Sequence, residues 1–245
     1  MTAALNNRTH DFFSALDEAE TADEAWGSTL TYLRNLGANH LGIQVFPDGG
    51  EPYRRWSTPD WVAELYQDTV YPSHDPKLEH CRKKLSPYFY EKEFWSRDSE
   101  LPEPRRQLDE ELVSVGNRAA VAFPNHTACR QGWGYFAFTA DVGKAEFERL
   151  FADRGAEIQL AGIGAFNRVL ALENEEEVSR VGLTKREREC LLWLGRGLRY
   201  DQIADRLGLS VVTVEFHIAN ARRKLNARTR EQALVSAVQL NILDP

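Results

Sequence analysis

The residues best placed to do chemistry lie near the end of the chain. Thr213 and His217 stand one helical turn apart on a polar face, and Arg222, Arg223 and Lys224 follow them. A hydroxyl and an imidazole at that spacing suit base edges in a major groove, and a basic run suits phosphates. Arg199 and Ser210 lie upstream, where they too reach phosphate. Asn220 serves either a base or the backbone. Glu215 stands among these residues, and its carboxylate repels phosphate or accepts from a cytosine amino group. Elsewhere, His74, Asp75, His80 and Cys81 lie close together. Their spacing fits no metal or triad template, and no nucleophile elbow or Gly-rich phosphate loop accompanies them, so the sequence reads against an enzyme. Cys81, Cys129 and Cys190 are far apart and odd in number. They form neither a metal-ligand spacing nor a disulfide framework and read as small apolar packers in a reducing cytoplasm.

These side chains need helices to hold them. Thr184-Lys185-Arg186-Glu187 is a capping box that opens a helix through Leu191, Leu192 and Leu194, which stops at Gly195-Arg196-Gly197. A short helix follows over Tyr200–Leu207. Gly208-Leu209 turns the chain and Ser210 caps a third helix, Val211–Leu225, with Val214, Phe216 (in part), Ile218, Ala221 and Leu225 inward. Thr229-Arg230-Glu231-Gln232 opens a fourth. A short helix, a tight Gly turn and a longer polar-faced helix give helix-turn-helix geometry, in which one helix enters the groove and its predecessor braces it.

Charge supports a separate module. The 245 residues carry a net −7, yet the segment from Leu183 to Pro245 has eleven basic and seven acidic side chains, net +4, leaving −11 on the rest. A basic tail on an acidic body points to two domains with different partners. The boundary falls in the polar stretch 174–182, read as a linker between residues 1–173 and 183–245. With 42% hydrophobic and 27% charged residues the composition is that of a soluble globular protein. No apolar run approaches a bilayer span, and the first residues lack the basic start and apolar stretch of a signal peptide.

The first 173 residues mix helix and strand signals. Thr21 and Glu24 form a capping box for a helix through Trp26, Leu30, Tyr32 and Leu33, ending at Gly37. Leu41–Phe46 alternates as a strand before a Pro-Asp-Gly-Gly turn. Thr58-Pro59 and Asp75-Pro76 each read as an N-cap with Pro at the first helical position, the first opening a helix through Trp61, Leu65 and Tyr66. A helix near Arg105–Val115 precedes strands at Ala119–Phe123 and Trp133–Thr139. One long helix covers Lys144–Leu172. The fold class is α+β: an N-terminal α/β/α sandwich followed by an all-α four-helix domain.

Leu183-Thr-Lys-Arg-Glu-Arg-Glu-Cys-Leu, Ile203-Ala-Asp-Arg-Leu-Gly-Leu-Ser and Thr213-Val-Glu-Phe-His-Ile-Ala-Asn-Ala-Arg-Arg-Lys-Leu together resemble the LuxR-type helix-turn-helix module. Glu187, Leu191 and Gly197 match three positions of its motif, and Glu215 stands where many members carry Lys. The stretch Trp61…Tyr66…Tyr71…Asp75-Pro76…Pro87-Tyr-Phe-Tyr90 resembles the autoinducer-binding domain of quorum-sensing regulators. So do Gly116-Asn-Arg-Ala-Ala-Val-Ala-Phe-Pro124 and Gly134-Tyr-Phe-Ala-Phe138.

That resemblance implies an N-acyl homoserine lactone held between sheet and helices. A Trp donates to the lactone carbonyl, an Asp accepts from the amide N–H, and a Tyr or Ser/Thr meets the acyl carbonyl. The candidates carried over are Thr58, Trp61, Tyr66, Asp75 and Tyr90. Thr58 and Asp75 serve equally as N-caps, and the three aromatics equally as core. Counting back from Asp75, the family's Tyr and Trp positions fall on Thr58 and Val62, one place from Trp61. Tyr90 stands where another Trp is usual. Ala120 replaces a common Gly, and Ala137 falls where some members have a hydroxyl. The resemblance further implies a cytoplasmic homodimer, built on the long helix and the last helix, that binds a pseudo-palindromic operator. It implies no cofactor beyond the signal and no membrane partner. The alternative is a ligand-independent regulator, or an anti-activator that titrates a related protein into heterodimers.

Overall fold

Alternation along the strands separates two faces of one sheet, and that division organises the first part of the chain. The structure is a computed structural model that describes residues 2–47, 52–65, 75–91, 110–126, 132–240 and 242–243. It divides into two compact units, Met1–Leu170 and Ala171–Pro245. Among the described residues, no helix is long and apolar enough to cross a membrane.

In the first unit, α1 (Thr2–Glu18) and α2 (Ala22–Arg34) precede β1 (Leu41–Pro47) and β2 (Tyr53–Trp56). Short helices α3 (Asp60–Leu65) and α4 (Pro76–Lys83) lead to β3 (Tyr88–Glu91), a helical turn at 110–114, β4 (Ala119–Asn125) and β5 (Gly132–Ala140). The sheet is antiparallel in the order β2-β1-β5-β4-β3. The register sets Ile43 opposite Phe136, and Val121 opposite both Phe138 and Phe89. This apolar face meets α5 (Lys144–Val181): Phe151 lies against Phe123, Phe138 and Phe89. Gly162 lets α5 approach, because a Cβ there would stand 2.6 Å from the Phe136 ring. The opposite face carries Gln44, Trp56, Tyr88, Ala122 and Tyr135, and α4 packs on it through Leu78 and Cys81. The result is the α/β/α sandwich expected.

Three elements escaped the sequence reading: α1, β2 and β3. α1 is polar along most of its length and docks through both apolar and polar contacts. Phe12 stacks on Tyr32 with centroids 4.3 Å apart. The Arg168 guanidinium of α5 donates to the carbonyls of Leu16 (3.0 Å) and Ala19 (2.7 Å), groups that a helix end leaves without partners. Tyr32 and Arg154 both hydrogen-bond Glu157, at 2.6 Å each.

α5 runs nine residues beyond Leu172, so the polar stretch expected as a linker is helical as far as Val181 and breaks at Gly182, with φ 58°. In the second unit, α6 (Lys185–Gly195), α7 (Tyr200–Leu207), α8 (Val211–Lys224) and α9 (Arg230–Gln239) fall where their caps placed them. Thr184 and Glu187 complete the capping box. Gly208 adopts φ 64°, a left-handed conformation that turns α7 into α8. Leu191, Ile203, Val214, Ile218 and Ala221 form the centre of the core.

Candidate functional site

The rotation of α8 decides what its residues can touch. Val214, Ile218, Ala221 and Leu225 follow one stripe and are buried. Half a turn away, Val212 and Phe216 point straight out, 73% and 62% exposed, which corrects the expectation that Phe216 is partly inward. Thr213, His217 and Asn220 lie on one flank and Glu215 on the other, fully exposed side. Thr213 is occupied locally: its hydroxyl is 2.7 Å from that of Ser210, which caps α8 by accepting the Thr213 N–H at 3.1 Å. Asn220 Oδ1 accepts from the Arg223 guanidinium at 3.0 Å. Arg222 and Arg223 are exposed at the C-terminal turn. Arg199 precedes α7, exposed, with its N–H donating to the Gln202 side chain.

Lys224 does not join this outer surface. Its ammonium donates to buried Glu187 at 2.8 Å and to the Gly182 carbonyl at 2.9 Å, so the expected phosphate contact is corrected to a structural staple. Burial of Glu187 opposes its charge. The Lys224 ammonium and the Thr184 N–H outweigh that and hold the carboxyl below its ordinary range. The face left for DNA has an apolar centre, polar flanks and a basic end.

In the first unit, Asp75 caps α4 and is also buried: Oδ1 accepts the Lys77 N–H at 2.9 Å. Oδ2 lies 3.5 Å from the Lys77 ammonium, itself only 3% exposed. Aromatic rings surround that ammonium: Tyr135 at 5.0 Å, Tyr90 at 5.7 Å and Trp56 at 6.0 Å from their centroids. The Tyr135 hydroxyl donates to Gln44 at 2.6 Å. Asp75 and Tyr90 thus lie on the α4 side of the sheet, where Ala120 and Ala137 are buried.

Trp61 does not converge with them. It is 42% exposed on α3 while Val62 is buried, because the helix turns the next residue inward. Nor does Thr58 cap α3, which begins at Asp60. Its hydroxyl is buried with no hydrogen-bond partner among the described residues. Tyr66, Tyr71, His74 and Cys129 lie outside the described residues. The sequence reading missed Trp56, Lys77, Gln44 and Tyr135. The signal for two of them was strand alternation opposite a small residue: a Cβ on Gly42 would stand 2.2 Å from the Trp56 ring, and Ala122 and Ala137 lie beside Tyr135. Cys81 offers no nucleophile. Burial pushes its thiol up to about 12, and His80 hydrogen-bonds the Ser86 carbonyl instead.

Two family models match the chain: the autoinducer binding domain over residues 21–169, and the bacterial regulatory proteins of the luxR family over residues 181–237. The transcriptional activator protein LuxR of Aliivibrio fischeri is 27% identical over 183 residues, 74% of this chain and 70% of that one. Escherichia coli SdiA has the same fold, with a TM-score of 0.68 at 19% identity over 98% of this chain and 100% of that one. The N-acylhomoserine lactone dependent LuxR-family factor CepR2 of Burkholderia cenocepacia matches with a TM-score of 0.54 at 18% identity, over 69% of this chain and 99% of that one. With an autoinducer-binding domain covering more than half its length and a luxR-type helix-turn-helix after it, the chain belongs to the LuxR family of quorum-sensing transcription regulators.

Proposed function

We propose that this regulator binds an N-acyl homoserine lactone on the α4 side of its sheet and, as a cytoplasmic homodimer, binds a pseudo-palindromic operator. The observation that carries the reading is the buried Asp75 carboxylate, which shares the Lys77 ammonium with the Tyr90 ring on a wall of aromatic and small side chains. An apolar pocket with a few fixed polar groups holds a chain and orients its head. Asp75 accepts the ligand amide N–H. Thr58, whose buried hydroxyl has no hydrogen-bond partner among the described residues, supplies a contact to a ligand carbonyl, Tyr90 lines the site, and Tyr66, outside the described residues, is carried with them as a ligand contact from the family resemblance. CepR2, which shares this fold, is described as lactone dependent.

Residues 1–173 act as the sensor, 174–182 connect, and 183–245 bind DNA. Ser210, Thr213, His217, Asn220, Arg199, Arg222 and Arg223 face the duplex, the basic side chains on phosphates and the α8 flank on bases. The protein is not an enzyme and holds no cofactor beyond its signal. Ligand binding to the folded sensor stabilises it by mass action and so raises the population competent to bind DNA. Expression with and without a panel of lactones, followed by mass spectrometry of the denatured protein, tests this. A lactone recovered at stoichiometric amount supports the reading. No lactone recovered, and no change in soluble yield or melting temperature, contradicts it.

A further inference from the structure

The face of α8 that points straight away from its core is hydrocarbon. Steps of about 100° put Val212, Phe216, Ala219 and Arg223 on one line, opposite buried Val214, Ile218 and Ala221. All four are exposed, Val212 by 73% and Phe216 by 62%. Before Arg223 this line holds no hydrogen-bonding side chain. The polar residues stand to the sides. Glu215 lies on one, and half-buried Thr213, His217 and Asn220 lie on the other, Thr213 against the Ser210 hydroxyl and Asn220 against Arg223. The Phe216 ring meets the His217 ring at 63° with centroids 5.9 Å apart, which braces its direction.

Three apolar side chains in line add nothing to the core of their own unit and mark a contact surface. The occupant is duplex DNA: the segment matches the luxR-type module, residues 183–245 carry net +4, and Arg223 closes the line. A helix in the major groove turns its outward line to the base edges and its flanks to the walls. Among those edges thymine alone presents a hydrocarbon group, its C5 methyl. Against any other base, hydrocarbon leaves a donor or acceptor without a partner. We propose, building on DNA binding by α8, that Phe216 and Val212 are specificity-determining residues that read thymine C5 methyls. One helical turn, about 5.4 Å, separates them, and base pairs stack every ~3.4 Å, so both contacts fall within two or three base pairs of a half-site.

The test exchanges thymine for deoxyuridine, which lacks only that methyl. Duplexes are selected with the full chain in the presence of a panel of N-acyl homoserine lactones. Each thymine of the selected duplex is then replaced singly, with fluorescence anisotropy at one fixed salt concentration as the readout. Loss of one buried methyl is expected to weaken binding about fourfold at one or two thymines per half-site and to leave the other positions unchanged. Phe216→Ala is expected to erase the penalty at one of these thymines, and Phe216→Leu to keep most of it. Both side chains face solvent, so the melting temperatures of these variants should match wild type. A duplex indifferent to uracil at every thymine overturns the assignment. So does a penalty that Phe216→Ala and Val212→Ala both leave intact. Uracil indifference joined to self-association that falls in Phe216→Ser gives this face to a second copy instead. Failure of wild type to prefer any duplex over random DNA is a different result: it removes base reading by α8 itself, and this proposal with it.

Discussion

The Lys224 ammonium lies 2.8 Å from the Glu187 carboxylate, tying the last turn of α8 to the first turn of α6. Glu187 is buried, so removing its cation leaves an uncompensated charge. Lys224→Met is expected to destabilise the C-terminal unit by about 2 kcal/mol, read by denaturant unfolding. A DNA affinity that falls while stability stays unchanged would restore Lys224 to the phosphate contacts.

The same pair sets a pH dependence. Glu187 is held below its ordinary range, so its contribution is fully present above the unfolded carboxylate value of about 4.3 and is lost as pH falls through the lower folded value. Melting temperatures of wild type and Glu187→Gln are expected to converge through that acid window. Parallel curves would show that the charge does not stabilise the fold.

On α8, exposure predicts which changes leave folding alone. Phe216→Ala is expected to alter stability by less than about 0.5 kcal/mol and still weaken DNA binding, because the ring faces solvent. His217→Ala should relax sequence preference, whereas Arg223→Ala should weaken specific and random DNA comparably. Equal losses on both DNAs for His217→Ala would remove it from base reading.

Gly42 is required by Trp56. A Cβ at position 42 would come within 2.2 Å of the indole, so Gly42→Ala must displace the ring that faces Lys77. The expected cost is about 1–3 kcal/mol in stability together with weaker ligand binding. Unchanged indole fluorescence and unchanged binding would show that the ring does not depend on this glycine.

Cys81 should be inert. With its thiol pushed up to about 12 by burial, almost no thiolate exists at pH 8, and alkylation mapped by peptide is expected only after unfolding. Rapid native-state labelling of Cys81 would contradict its placement between α4 and the sheet.

The C-terminal unit was the more legible of the two. Thr184, Ser210 and Thr229 each bond the backbone three residues on, and Gly208 adopts the left-handed turn, so local chemistry alone places the helices. Lys224 was not legible. A basic residue in a last turn reads the same whether it meets phosphate or a carboxylate 37 positions away. In the first unit, β1 was plain from alternation and β4 and β5 showed as short apolar runs, while β2 carries Arg54 and Arg55 and β3 spans four residues, too short for a period to show. Trp61 was misplaced because one residue of helix rotation, about 100°, separates an outward ring from the inward Val62. Lys77 was invisible for a related reason. Its position after Asp75-Pro76 reads as solvent-facing, and only the antiparallel register brings Tyr90 and Tyr135 around it.

The proposed coupling of signal to operator binding is read by fluorescence anisotropy of the full chain on a duplex chosen by binding-site selection. Measured at one fixed salt concentration, lactone is expected to tighten operator binding at least about tenfold, while Asp75→Ala binds DNA equally with and without it. Identical affinities for wild type in the presence and absence of every lactone would show that no lactone controls DNA binding by this chain.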